Sequence, residues 1–457
     1  MGDKHFGTDG IRARAGEFPL DRTSIAALGA ALVRLLRAKG LDPLIIVGRD
    51  TRESGAWMEG MLMRGVHEAG GTLFAAGVIP TSAVSFLTRK HGGSAGVVIS
   101  ASHNPFRDNG IKVFSHEGLK IPDDWEDELE AAIEAARGRR APEPLAVEPD
   151  PRFADDYAAY LESRVTIGRS GAARLRVALD CANGAGSALA PRVFHELGFD
   201  VVTLNCAPDG TNINRGCGSL HPEGLAGAVV ESASDLGVAF DGDADRALWA
   251  DRSGRILTGD HTLYVQGLHM KAAGRLRTDE VVATTMSNMA LELALGDAGV
   301  RLIRTRVGDK YVRDEMDVRG ANLGGERSGH TIFLDDMTTG DGLLTALKMV
   351  EVMTAEDRPL DVLVRDYREF PQVLVNVEVV RKPGFDEIPG LREAEAETRR
   401  KLEGHGRLDL RYSGTEPLAR IMIEGDDAAE VETLAQGLAA IIDRHIGRRS
   451  GSAKEEP

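Results

Sequence analysis

Cysteine is scarce in these 457 residues, with only Cys181, Cys206 and Cys217. They have no metal-type spacing and, being odd in number, cannot all pair with one another. That excludes a disulfide-stapled scaffold and a zinc module, and it fits a reducing, cytoplasmic compartment. Positive charge is also short. The formal net charge of -16 argues against general binding to nucleic acid or to an acidic membrane, and leaves any anion to be gripped by local clusters of arginine. No apolar run approaches the length of a membrane span. The polar opening Met1 to Gly7 lacks the apolar core of a signal peptide, and Phe6 stands where a myristoylation pattern wants Ser or Thr. Familiar signatures are missing too. The loop Gly48-Arg-Asp-Thr-Arg-Glu-Ser-Gly55 has no Gly-Lys-Ser/Thr, so nucleotide binding is not supported. No Gly-x-Ser-x-Gly elbow surrounds Ser100 or Ser102. Asp241 to Arg246 opens like an EF-hand, but loop position six is Arg246 instead of Gly and position twelve is Arg252 instead of Glu.

What is present is a long α/β pattern. The length exceeds what one hydrophobic core supports, so about three or four domains are expected. Strand-like and helix-like stretches alternate through residues 1–150, 151–252 and 253–368, three α/β domains with mixed sheets. A smaller α+β domain is predicted over 369–448, and 449–457 reads as a disordered tail. Arg139 to Pro151, with four prolines, is the first linker.

The candidate chemistry lies at strand ends. Val97 to Ile99 reads as a buried strand that stops where Ser100-Ala-Ser-His-Asn-Pro105 begins, and strand ends in open α/β sheets face the ligand crevice. In extended backbone His103 would point away from Ser102 and be poorly placed as its base. After the strand Leu236 to Phe240, Asp241, Asp243 and Asp245 alternate. Extended backbone would put all three on one side, able to converge on a hard cation such as Mg2+ that keeps positions for water or a phosphoryl oxygen, while the small Gly242 and Ala244 let the loop curl. Phe6-Gly-Thr-Asp-Gly-Ile-Arg12 is read as a loop whose Arg12 reaches a phosphate. Gly324-Gly-Glu-Arg-Ser-Gly-His330 offers a carboxylate, a hydroxyl and an imidazole to sugar hydroxyls. Arg411-Tyr-Ser-Gly-Thr-Glu-Pro417 offers a guanidinium, hydroxyls and backbone amides to an anion. Each segment taken alone is also compatible with an ordinary turn.

Taken together and in order, Ser-Ala-Ser-His-Asn-Pro, Asp-Gly-Asp-Ala-Asp-Arg, Gly-Glu-Arg-Ser-Gly-His and Arg-Tyr-Ser-Gly-Thr-Glu-Pro resemble the α-D-phosphohexomutase superfamily over nearly the whole chain. The chain is most similar to the bacterial phosphoglucosamine mutases through Phe-Gly-Thr-Asp-Gly-Ile-Arg, Asn-Pro-Phe-Arg-Asp-Asn-Gly-Ile-Lys, Met-Ser-Asn, Val-Gly-Asp-Lys-Tyr-Val and Ser-Gly-Thr-Glu-Pro-Leu. The resemblance implies four domains around a central cleft and Ser102 carried as a phosphoserine. It implies magnesium held by Asp241, Asp243, Asp245 and the Ser102 group. Glucosamine 6-phosphate would become glucosamine 1-phosphate through a bisphosphorylated sugar, on the way to UDP-N-acetylglucosamine. Lys112 and His330 would assist catalysis by that resemblance, Arg246 by its place beside the metal loop, and Arg12 as a phosphate-reaching cation. Substrate binding falls to His103, Glu326, Ser328, Arg411, Ser413, Gly414, Thr415 and Arg420. Arg327, Lys310 and Tyr412 depart from the residues commoner in the family, which keeps a phosphoglucomutase/phosphomannomutase as the alternative. A cation-dependent sugar-phosphate binding protein without turnover is the reading from another class, and the joint retention of Ser102, the three aspartates, Lys112 and His330 speaks against it. The expected partner is a small phosphosugar, with no nucleic acid and no membrane, acted on by a monomer or homodimer.

Overall fold

A computed structural model of the chain describes residues 4–7, 9–167, 175–413 and 417–448. The predicted disordered tail, 449–457, lies outside the described residues. The chain forms two compact units, one running to Met286 and resuming from Ala298 to Arg365, the other made of Ser287–Asp297 and the residues from Asp366 onward.

The first unit contains three mixed sheets. Strands β1 (Phe6–Gly7), β2 (Gly10–Arg14), β3 (Leu44–Arg49), β4 (Thr72–Val78), β5 (Ala95–Ile99) and β6 (Asp108–Ser115) are ordered β1-β2-β6-β5-β3-β4. β3 pairs in parallel with β4 and β5, and β6 turns back antiparallel on β5. Every residue of β5 is buried. Val97, Val98 and Ile99 each contribute about 1.5–3 kcal/mol on burial, so the strand that ends at Ser100 is a fixed base for the loop beyond it. The helices Arg22–Ala38 and Glu53–Glu68 cover one face, the first capped by the Asp21 carboxylate, which accepts from the Thr23 and Ser24 amides. The glycine-rich opening is a short hairpin, not a loop. Arg12 sits on β2, paired opposite Gly110 of β6, because alternating Ile11 and Ala13 bury against the sheet and extend the chain.

The second sheet, β7 (Arg176–Asp180), β8 (Asp200–Leu204), β9 (Leu236–Phe240), β10 (Ala247–Asp251) and β11 (Ile256–Leu257), is ordered β11-β10-β9-β7-β8. The third, β12 (Glu280–Thr284), β13 (Arg301–Thr305), β14 (Leu323–Gly325) and β15 (Thr331–Phe333), is ordered β13-β12-β14-β15. Both combine a parallel core with an antiparallel return strand, β9 to β10 and β14 to β15. The motif loops are these returns.

The second unit has a different build. β16 (Gln372–Glu378), β17 (Gly406–Tyr412) and β18 (Leu418–Gly425) form an antiparallel sheet ordered β16-β18-β17. The helix Ala428–Ile446 packs on it through Val431, Ala435, Leu438 and Ile442. The chain is therefore three α/β domains with mixed sheets and a smaller α+β domain.

Candidate active site

Ser102 follows β5 in a left-handed conformation (φ 50°) and is buried. Its hydroxyl lies 2.5 Å from Asp241 Oδ2 and 3.1 Å from His103 Nδ1. The expectation that His103 points away from Ser102 is therefore wrong. It assumed extended backbone, and the positive φ at Ser102 curls the chain so that adjacent side chains meet. Burial, with the cations Arg246 and Arg12, lowers the His103 pKa to about 4 and keeps its ring neutral. Ser100 is occupied elsewhere, donating to Asp50 Oδ2 at 2.6 Å and accepting the Ser102 amide at 2.9 Å.

The three aspartates converge, but by a turn and not by extension. The Ala244 amide donates back to the Asp241 carbonyl at 3.0 Å, with Ala244 at φ 56°. Ligand oxygens of Asp241, Asp243 and Asp245 lie within 4.8 Å of one another, and all three residues are buried. The turn touches the serine loop through Gly242, where an added Cβ would fall 2.5 Å from the Ser102 carbonyl oxygen. Burial, then Asp245 and Asp243, pushes the Asp241 pKa well above the carboxylate range. Asp243 Oδ1 and Asp245 Oδ1 are buried with no hydrogen-bond partner among the described residues. Like charges crowded with orphaned buried oxygens fit a divalent oxygen-seeking cation.

Cations from other strands surround this group. Lys112, on β6, places Nζ 2.9 Å from Asp243 Oδ2, 3.0 Å from Asp9 Oδ2 and 3.5 Å from Asp245 Oδ2. Burial alone would lower its pKa, but Asp243, Asp9 and Asp245 outweigh it and hold the ammonium well above its ordinary value. Arg12 bonds Asp9 at 2.5 Å, and Lys120 ties Asp9 to Asp309 at 2.8 and 2.7 Å. Arg246 follows the aspartate turn, its amide 3.2 Å from Asp241 Oδ1 and its Nε 3.8 Å from Asp245 Oδ1.

The third domain brings in His330, bridged to Arg246 at an isolated antiparallel pair. Its Nδ1 is 3.5 Å from Asp245 Oδ2, and Nε2 accepts the Gly340 amide at 3.1 Å. Asp245, Asp309 and Glu326 draw this ring's pKa upward against burial. The Gly340 N–H that donates to Nε2 opposes a second ring proton, so the contacts favour the neutral ring with its proton on Nδ1, toward Asp245. Glu326 accepts the Gly308 amide at 3.0 Å, and the buried Ser328 hydroxyl has no partner among the described residues.

Ser102, His103, Lys112, Asp241, Asp243, Asp245, Arg246 and His330 thus form one cluster, joined to Arg12 through Asp9. The second unit holds the remaining predicted residues. Arg411 and Arg420 face each other directly across β17 and β18, and like charges so opposed favour an anion between them. Arg411 also bonds Asp409 at 3.1 Å, and Ser413 is buried. Gly414 and Thr415 lie outside the described residues.

Several functional residues escaped the motif reading. Arg52 is fully buried, paired with Asp50 at 2.8 Å, and donates to the carbonyls of Ser102, Asn104, Pro105 and Asp108. Asn214 Nδ2 donates to the same Ser102 carbonyl at 2.9 Å. Thr81, first residue of a helix, gives its hydroxyl to Asp243 Oδ2 at 2.6 Å and its amide to the Asp243 carbonyl at 3.1 Å. The signal for Arg52 was its loop, set aside once a nucleotide site was excluded.

Comparison with known proteins matches four family models along the chain. These are phosphoglucomutase/phosphomannomutase alpha/beta/alpha domain I over residues 3–140, domain II over 155–254, domain III over 258–370, and the C-terminal domain over 374–441. A phosphoglucosamine mutase of Solibacter usitatus is 46% identical over 97% of this chain and 99% of its own length. One from Deinococcus radiodurans is 45% identical over 96% and 98%. A phosphoglucomutase/phosphomannomutase family protein from Burkholderia thailandensis shares the fold, with a TM-score of 0.80 at 23% identity over 97% of this chain and 98% of that one. An Aspergillus fumigatus N-acetylphosphoglucosamine mutase, solved with GlcNAc-6P and magnesium, has a TM-score of 0.65 at 18% identity over 96% of each chain.

Proposed function

Since this chain belongs to the phosphoglucomutase/phosphomannomutase family, we infer that it is an enzyme that interconverts glucosamine 6-phosphate and glucosamine 1-phosphate, the activity its relatives are named for. The observation that carries the chemistry is the Ser102 hydroxyl 2.5 Å from Asp241 in a buried set of three carboxylates. Ser102 is the phosphoryl carrier. Asp241, Asp243 and Asp245 hold magnesium, which supplies positive charge against the transferring phosphoryl group.

Phosphorylated Ser102 gives its phosphoryl to O1 of glucosamine 6-phosphate: the bond from phosphorus to the Ser102 oxygen breaks as the bond to O1 forms, the O1 proton passes to a base, and the freed Ser102 oxygen takes up a proton. The bisphosphate turns end over end, and the O6 phosphoryl returns to the Ser102 oxygen, whose proton leaves toward Asp241 or the neutral His103, while O6 takes up a proton and becomes a hydroxyl. Lys112, held cationic by three carboxylates, Arg246 and Arg12 offset the charge of the phosphoryl oxygens. With Lys112 kept as an ammonium, proton handling falls to the imidazoles His330 and His103. Glu326 and Ser328 hold the sugar hydroxyls. Arg411, Ser413, Gly414, Thr415 and Arg420 hold the distal phosphate in either orientation, and fixing that remote end positions the reacting end. The four domains divide near residues 150, 252 and 368. The enzyme works in the cytoplasm as a monomer or homodimer. Among the described residues no helix is long and apolar enough to cross a membrane.

A coupled assay with magnesium on glucosamine, glucose and mannose 6-phosphates tests the reading, together with peptide mapping of the purified protein. Glucosamine 6-phosphate should turn over fastest and phosphate should map to Ser102. Faster turnover of glucose or mannose phosphate would reassign the sugar. Phosphate on Ser100 with Ser102 unmodified would overturn the carrier.

A further inference from the structure

Two of the three cysteines, unused by the chemistry above, meet at the carboxyl end of the second sheet. β7 and β8 pair in parallel as far as Asp180 and Leu204. Beyond that point one carbonyl collects both chains, since Leu204 O accepts the Cys181 amide at 3.1 Å and the Cys206 thiol at 3.2 Å. Asn205, at φ 50°, turns the chain left-handed and folds Cys206 back toward its neighbour. Each thiol shifts the other's titration, Cys181 upward and Cys206 downward. Cys181 is buried, while Cys206 is partly exposed. A partly exposed cysteine and a buried one are thus brought together on one carbonyl, the arrangement of an attacking and a resolving thiol. We propose that Cys206 and Cys181 form a peroxide-sensitive dithiol that closes reversibly to a disulfide, with Cys217 left out.

The Cys181 thiol lowers the Cys206 pKa by hydrogen bonding, against burial, which favours the reactive thiolate. Cys217, buried and 4.0 Å from Asn183 Nδ2, has its thiol pushed up to about 11 by burial and Asp180. In the first step the Cys206 sulfur attacks a peroxide oxygen, the O–O bond breaks, and the departing hydroxide takes up a proton as water. In the second, the Cys181 sulfur attacks the Cys206 sulfenic acid, the S–O bond breaks, and the oxygen leaves as water with the Cys181 proton. Two thiols and one hydrogen peroxide give a disulfide and two waters.

The pair is wired to the phosphoryl-carrying loops. Cys181 opens a turn in which Ala182 O accepts the Asn214 amide at 2.9 Å, and the Asn214 side chain holds the Ser102 carbonyl. Three residues beyond Ala182, Ala185 donates its amide to the Gly242 carbonyl of the aspartate turn at 2.8 Å. Closing the disulfide draws Cys181 toward Cys206 and displaces both contacts, and a displacement of about 1 Å at reacting groups costs about tenfold or more in rate.

The test treats the full-length reduced protein with hydrogen peroxide, blocks free thiols by alkylation, and maps peptides without reduction. The expected result is a Cys181–Cys206 crosslink with Cys217 alkylated, and turnover lowered about tenfold and restored by dithiothreitol. Cys206→Ser should keep basal turnover, form no crosslink and resist peroxide, whereas Cys217→Ser should behave as the parent. Cys181 and Cys206 both remaining alkylatable after a control dithiol has oxidised, or a crosslink through Cys217, would overturn the assignment. A crosslink with undiminished turnover would overturn the link to the carrier loop. Because the crosslink is read by mass, its failure is distinguishable from failure of the assigned activity.

Discussion

Arg52→Lys isolates what positions Ser102 without touching the reacting groups. The Arg52 guanidinium makes five hydrogen bonds from a fully buried position, to Asp50 Oδ2 and to the carbonyls of Pro105, Asp108, Ser102 and Asn104. Lysine keeps the charge but has three donors on one atom, so at least two of these five hydrogen bonds are lost. Ser102, Asp50 and Pro105 each keep a second donor, from Asn214, Ser100 and the Asp108 amide. The cost is therefore that of the lost hydrogen bonds from a charged donor, about 1–3 kcal/mol each, and the loop from 102 to 108 should loosen by about 2–6 kcal/mol. Native-state hydrogen exchange reads this locally, at the amides of Asn104 and Asp108, which donate to the Ala101 and Pro105 carbonyls. At about 1.4 kcal/mol per decade, their protection should fall at least about thirtyfold. Turnover should fall about a hundredfold, because the Ser102 oxygen is no longer fixed, while KM changes little. Unchanged protection together with full turnover would show that the carrier loop is held by β5 and β6 alone.

Asp243→Asn should lower turnover about a hundredfold while KM moves much less, since its carboxylate would help hold the cation that offsets charge developing at the transferring phosphoryl; parental turnover after chelation would remove the metal from the reaction. Arg411→Ala should slow both directions and release bisphosphate that labelled substrate traps outside the enzyme; full turnover with no added release would place the distal phosphate elsewhere. Asp341, buried against the Tyr157 hydroxyl, has its pKa raised by burial to about 6. A carboxyl raised above its unfolded value of about 3.9 binds its proton more tightly folded than unfolded, so stability falls as pH climbs from about 4 to about 6, by about 3 kcal/mol. Asp341→Asn should flatten the urea midpoint across that window, and parallel curves for parent and variant would refute the assignment.

What the sequence disclosed was local. Leu236–Phe240 is the strand its apolar run predicts, and the aspartates follow directly on it. The apolar run before Ser100 likewise ends where β5 ends. Tertiary contacts decided the rest. Extended backbone was the reasonable local expectation at Ser102 and through 241–245, but the near contact of Gly242 with the Ser102 carbonyl obliges both loops to curl. Arg52 and Thr81 act on residues 50 and 162 positions away. The loop around Arg52 marks it only as a turn residue and nothing beside Thr81 marks it at all, because a buried arginine is legible only once the carbonyls it satisfies are in place.

The charge arrangement also ties phosphorylation to metal binding. With Ser102 as a free hydroxyl, Asp241 is already pushed well above its ordinary pKa by burial and by Asp245 and Asp243. A phosphoryl group on Ser102 would add nearly two negative charges beside that carboxylate, 2.5 Å from the present hydroxyl position. Lys112 offsets part of this charge, but Asp243, Asp9 and Asp245 already share its ammonium. Arg246 reaches Asp245 only at 3.8 Å. The remaining deficit is what a divalent cation would relieve, so phosphorylation of Ser102 and metal binding would stabilise each other, and by linkage each would raise the affinity for the other by the same factor. Calorimetric titration of magnesium into the phosphorylated protein should therefore show tighter binding than into protein dephosphorylated at Ser102. The coupling is expected to be about 1–3 kcal/mol, or about five- to 150-fold. Equal affinities in the two forms would mean that Lys112, Arg246 and Arg12 already balance the phosphoryl charge, leaving the carboxylates to bind the ion on their own account.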